Sequence, residues 1–209
     1  MEENFLRAKR PGVLVNVTLP GLSGVYTERF RDTNVFPRIL REASAQLKAL
    51  GLRPQFRRVT VASFSAGFGG VRELLKDESA FKRIDALLMA DSIYAGYTAE
   101  PERRRVDPEK MEGFLKFARE AVEGRKEMLI THSAQRPDGY ASTTETADYL
   151  ISQLGGVREP AAEEWPNGLK LVSRFRKGRL SVYGFTGEGP EDHMRHLRNL
   201  SVFFERLGE

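Results

Sequence analysis

Hydrophobic positions along the chain follow two rhythms: short continuous or period-2 runs rich in β-branched residues, and longer stretches with apolar residues three and four apart. The first rhythm predicts strands over residues 12–19, 59–64, 84–91 and 127–132. It also predicts a pair over 168–175 and 179–185, joined by Arg176-Lys177-Gly178, which reads as a hairpin at the sheet edge. The second rhythm predicts helices. Phe36, Ile39, Leu40, Ala43, Leu47 and Leu50 give an amphipathic helix over 35–50 that stops at Gly51. Further helices run through Leu74 and Leu75, through Met111, Phe114, Phe117 and Val122, through Ala147, Leu150, Ile151 and Leu154, and through Met194, Leu197, Leu200 and Phe203.

Strands separated by helices of this length predict an α/β fold, a three-layer αβα sandwich with a mostly parallel sheet, because parallel neighbours require a crossover connection. In such sheets, sites form at the C-terminal ends of strands. The sequence places Ser65, Asp91 and His132 at those ends, and His193 after the last strand. Residues 1–209 read as one domain, with a short cap-like connection at 92–108 that carries Tyr94, Tyr97 and the run Arg103-Arg104-Arg105.

The change from the run at 59–64 into Ser65-Ala66-Gly67-Phe68-Gly69-Gly70 and then into a helical pattern outlines a strand, a tight turn and a helix. Only small neighbours let strand and helix approach closely enough to make such a corner, which forces Ser65 out of the sheet surface. Ser63 and Gly67 flank it at two residues' distance, giving Ser-x-Ser-x-Gly. The same glycines could instead start a dinucleotide-binding turn. Gly67 and Gly69 fit its first two positions, but the third falls on Arg72, too bulky for close helix packing. A phosphate-binding P-loop is excluded, since no Gly-Lys-Ser or Gly-Lys-Thr follows.

Composition narrows the chemistry. There are no cysteines, which removes thiolate nucleophiles, disulfides and cysteine-ligated zinc. Lys and Arg number 33 against 29 Asp and Glu, a mildly basic balance whose clusters lack interleaved aromatic residues, so no nucleic-acid partner is expected. No apolar run is long enough to cross a bilayer, and the polar start Met1-Glu2-Glu3-Asn4 does not resemble a secretion signal, so a soluble, cytoplasmic protein is expected. His193 and His196 lack a third ligand in reach by sequence, so no metal is expected either.

Nucleophile, acid and late histidine come in the order Ser65, Asp91, His193, and with the elbow Ser63-Phe64-Ser65-Ala66-Gly67, the strand-end Ala90-Asp91 and Asp192-His193 the chain resembles the α/β-hydrolase superfamily from about Gly12 onward. The resemblance is to a compact member with a reduced N-terminal part. It implies a serine hydrolase, an esterase or related acyl hydrolase, that needs no cofactor and takes a small-molecule acyl substrate. Ser65 would attack the carbonyl, His193 would act as general base and Asp91 would hold the imidazole, with Asp138 as the competing acid. Ala66 would supply one oxyanion donor and the loop after the first strand a second, from Leu19, Gly21 or Leu22. His132, Tyr94 and Tyr97 would line the substrate side, in an open cleft. His196 is expected at the surface, and Asp192 as a helix-start residue. Two competing functions remain: a non-catalytic small-molecule binding or interaction protein on the same fold, and a nucleotide-binding protein using the turn at Gly67 to Gly70.

Overall fold

A computed structural model describes residues 1–98 and 104–208. Six strands, β1 (Thr60–Phe64), β2 (Ala86–Ala90), β3 (Glu127–His132), β4 (Glu159–Trp165), β5 (Leu169–Lys177) and β6 (Leu180–Phe185), form one sheet in the order β1-β2-β3-β6-β5-β4. The first four in that order are parallel, and β5 and β4 are antiparallel to their neighbours. β2 and β3 are buried along their whole length and covered on both faces; β2 is apolar throughout, and β3 carries the apolar run Met128-Leu129-Ile130 between Glu127 and Thr131-His132.

Helices cover both faces. Preceding β1 are α1 (Glu2–Arg7), α2 (Ser23–Arg31) and α3 (Val35–Ala49). After it come α4 (Phe68–Lys76), α5 (Glu78–Arg83), α6 (Pro108–Val122) and α7 (Thr143–Gln153), with α8 (Pro190–Arg198) and α9 (Leu200–Arg206) closing the chain. On one face Phe68, Leu74, Phe114, Phe117 and Leu150 pack with Leu87, Met89 and Ile130 of the sheet. On the other, Leu200 and Phe203 pack with Leu88, Leu129 and Trp165. Local signals set the boundaries: Asp107 accepts from the Glu109 N–H ahead of Pro108 to start α6, and Ser142 with Glu145 forms a reciprocal capping box that starts α7.

Four features differ from the sequence expectation. Residues 12–19 belong to no strand, so the sheet begins at β1, and Val13, Val15 and Val17 are exposed. The hairpin β5–β6 is not at the edge: β6 lies between β3 and β5, and the edge is β4. The pattern hides β4 because Glu-Pro-Ala-Ala-Glu-Glu-Trp buries only Trp165, while Glu159 and Glu163 pair with Arg174 of β5. Proline and charge are what an edge strand tolerates. Trp165 packs against Tyr183, Phe185 and Phe203, with the Arg206 guanidinium 4.1 Å from its ring centre. Finally, the stretch after Pro20-Gly21 is the start of α2 and not only a loop.

Candidate active site

At the end of β1 the chain turns through a single 3-10 turn, Ser65–Gly67, directly into α4. Ser65 takes φ +50, a left-handed conformation that non-glycine residues rarely adopt and that tends to persist where surrounding structure enforces it. The enforcing contacts are visible. Ser92 donates its hydroxyl to the Ser65 carbonyl at 2.9 Å and lies 2.6 Å from Ser63 Oγ. A Cβ on Gly67 would come within 2.8 Å of Ser63 Oγ, so the serine two before the turn is accommodated by the glycine two after it. Gly69 and Gly70 serve α2: a Cβ on the first would meet the Ser23 carbonyl oxygen at 2.4 Å, and on the second the Phe30 ring at 2.8 Å. Their bareness is explained by helix packing.

Asp91, at the end of β2, also has positive φ, +44, and is fully buried. Its Oδ2 lies 2.7 Å from His193 Nδ1, while Oδ1 accepts the Ser133 N–H at 3.0 Å and the Thr143 hydroxyl at 2.5 Å. Burial pushes this carboxyl up, but the hydrogen bond from His193, the nearby His196 and the donors Thr143 and Ser133 together hold it well below the usual carboxylate range. Asp91 is therefore an anion at neutral pH. With Nδ1–H directed at Asp91, Nε2 of His193 is left as the acceptor of the ring. The His193 imidazole stacks on Phe64, the residue before Ser65, with ring centres 4.6 Å apart. Among the described residues, Ser65 Oγ and His193 Nε2 make no hydrogen bond. Such contacts are often loose without substrate.

Asp138 lies in the bend between β3 and α7. Asp192 accepts the Gly189 N–H at 3.0 Å and pairs with Arg195 at 2.8 Å, which is the work of a helix-start acid. Ala66 is the second residue of the 3-10 turn and is half-buried. Gly21, at φ +128, and Leu22, the N-cap residue of α2, immediately precede a helix that packs against α4 and touches the 3-10 turn. Tyr94 is largely buried beside Phe68 and Tyr140, its backbone carbonyl accepting from Arg72 at 2.6 Å. Burial, reinforced by the Asp91 charge, pushes its hydroxyl pKa up. Tyr97 donates to Glu145 at 3.0 Å and so ties the connection after β2 to the start of α7, with Arg104 over its ring. Arg103 lies outside the described residues.

The histidines other than His193 are interior groups. His132 is 5% exposed, with Nδ1 2.9 Å from Thr144 Oγ1. His196 is fully buried, with Nδ1 2.7 Å from Thr131 Oγ1, which corrects its expected surface position. The signal was available: residues 196, 197, 200 and 203 share one helical face, and Leu200 and Phe203 are apolar. Burial pushes His132 down to about 3 and His196 down to about 4. Histidines neutral in the folded state but protonated when unfolded make stability fall as pH drops below about 6.5 toward those values. Near pH 5 unfolding takes up about one proton at each of these sites, a slope on the order of a few kcal/mol per pH unit. The melting temperature is expected to drop steeply between pH 7 and 4, and a flat profile in thermal melts would contradict this account. Asp91 acts in the same direction, its contribution being lost at still lower pH.

Among the described residues, no cluster of three or more His, Asp or Glu could hold a metal ion, and no helix is long and apolar enough to cross a membrane. Ser92, Ser133 and Thr143 are the site residues that sequence reasoning passed over. Compared with family models, curated proteins and solved structures, this chain, with its strained serine and its buried aspartate–histidine pair, finds no match.

Proposed function

We propose that the protein is a serine hydrolase cleaving an ester or related acyl bond of a small molecule, on a compact α/β-hydrolase-type fold. The observation that carries this reading is the bond from His193 to the fully buried Asp91 carboxylate, with the His193 ring stacked on the residue preceding a strained Ser65. In that reaction His193 Nε2 takes the proton from Ser65 Oγ as it attacks the carbonyl carbon, then returns it to the leaving group, and a water molecule repeats the sequence on the acyl-enzyme. Asp91 stabilises the imidazolium without itself being protonated. The Ala66 N–H, at the start of the turn that leads into α4, is one donor to the oxyanion, and Gly21 or Leu22 the second.

A nucleotide reading of the Gly67 to Gly70 turn is less well supported, because the space above Gly69 and Gly70 is filled by Ser23, Thr27 and Phe30 of α2. The non-catalytic reading differs in one measurable property, the reactivity of Ser65. Native protein treated with a fluorophosphonate is expected to be modified at Ser65, as located by peptide mass spectrometry, whereas heat-denatured protein is not. A folded protein left unmodified would favour the binding-protein reading.

A further inference from the structure

Among the described residues the sheet ends in two outer strands, the charged antiparallel β4 and the parallel β1. β1 pairs only with β2, so the backbone N–H and C=O groups of its outer edge have no strand partner. Facing that edge is a gap of about 1090 Å³, lined by β1, the apolar stripe of α3 (Ile39, Leu40, Ala43, Leu47) and residues 13–18. That stretch, outside any helix or strand, is the second unsatisfied wall. Among the described residues, no backbone hydrogen bond involves residues 11–18, and Val13, Val15 and Val17 are 50%, 46% and 38% exposed.

Both ends of the stretch are fixed, and they give its direction. Arg10 donates to the carbonyls of Phe204 and Glu205 at 3.0 and 2.9 Å, near Gly208, whose N–H bonds to Glu127 at the start of β3. Arg10 therefore lies at the N-terminal end of the parallel strands. Leu19 N–H donates to the Tyr26 hydroxyl at 3.2 Å, in α2, whose first residue abuts Gly69 just past the C-terminal end of β1. Residues 11–18 thus run alongside β1 in the same direction. An extended chain of nine residues spans roughly 30 Å, enough to follow a five-residue strand from end to end.

Chemistry selects what fills the gap. An apolar ligand would cover the α3 stripe but leave the backbone groups of β1 unpaired, at about 1–3 kcal/mol each. A strand satisfies both walls. Handedness agrees: the helices joining β1 to β2 and β2 to β3 include α4 and α6, which share one core, and α2 packs on α4 while Phe36 of α3 joins that core. A strand at 13–19 followed by α2 and α3 and then β1 repeats the same right-handed crossover.

We propose that residues 13–19 dock on the free edge of β1 as a parallel seventh strand, with the valines turned toward the α3 stripe, and that the undocked arrangement is the open form of this strap. Docking fills the gap. Because Ser63, Phe64 and Gly67 also line it, the strap closes the side of the sheet next to Ser65. Only this last consequence rests on the hydrolase reading; the docking itself does not.

Aligning Leu19 with Ser65 sets Val15 beside Val61. The chain has no cysteine, so a Val15→Cys/Val61→Cys pair reports without background. Mild oxidation is expected to yield an intramolecular disulfide in the monomer, whereas Asn16→Cys/Val61→Cys, with side chains on opposite faces, is not. In the unmodified protein, hydrogen exchange is expected to show protected amides within 13–19. Unprotected amides there together with no crosslink would overturn the proposal. So would a disulfide formed between molecules, with β1 protected only at concentrations where the protein is dimeric, since a second copy would then cover the edge.

Discussion

Turnover of an acyl substrate is expected to fall by at least about a thousandfold when Ser65 is replaced by alanine, because the acyl-enzyme route loses its nucleophile. Stability should barely move. Alanine keeps the left-handed backbone at φ +50, and among the described residues the Ser65 hydroxyl makes no hydrogen bond to lose. Ser65→Gly separates the chemical role from the conformational one. It also removes the hydroxyl, but glycine adopts positive φ without steric cost, so the melting temperature should rise, by a few degrees for a gain of about 1 kcal/mol. Thermal melts of the two variants beside a hydrolysis assay with a chromogenic short-chain ester check both. Full activity in Ser65→Ala would end the hydrolase reading, and a less stable Ser65→Gly would show that the turn is not strained.

Asp91→Asn is the second large effect, and it reaches both function and stability. An amide cannot stabilise the imidazolium and presents the wrong partner to His193 Nδ1, which in a triad lowers turnover on the order of ten-thousandfold. The same change weakens the hydrogen bonds from the Ser133 N–H and the Thr143 hydroxyl in a site with no water access, at a cost of about 1–3 kcal/mol. Asp138→Asn should alter neither quantity. Measured side by side, loss of activity only in Asp138→Asn would transfer the acid's role to the loop after β3.

The parts of this architecture that could be read from the chain are those where one physical demand dominates. β2 and β3 are buried on both faces, so the apolar runs Ala86 to Ala90 and Met128 to Ile130 announce them. The order of Ser65, Asp91 and His193 was legible because each follows a recognisable strand or opens a recognisable helix. β4 was not, since a solvent-facing edge needs charge and proline and shows no period. Ser92, Ser133 and Thr143 were missed for a different reason. They meet Ser65 and Asp91 only after distant strand ends converge, with Thr143 52 residues from the acid it supports, and nothing local marks such a contact. Residues 12–19 have the alternation of a strand, yet alternation describes which faces side chains would take and not whether a neighbouring edge has received them.

The position of Trp165 has a practical consequence for watching this molecule unfold. As the sole indole in the chain, held at the end of β4 among Tyr183, Phe185 and Phe203, it makes intrinsic fluorescence a single-channel reporter of the antiparallel side of the sheet. Helices α2 and α3 lie by the opposite edge and contribute to circular dichroism but not to that emission. The two optical signals therefore sample different ends of one sheet, and whether their transitions superimpose is a direct gauge of how cooperatively the ends are coupled.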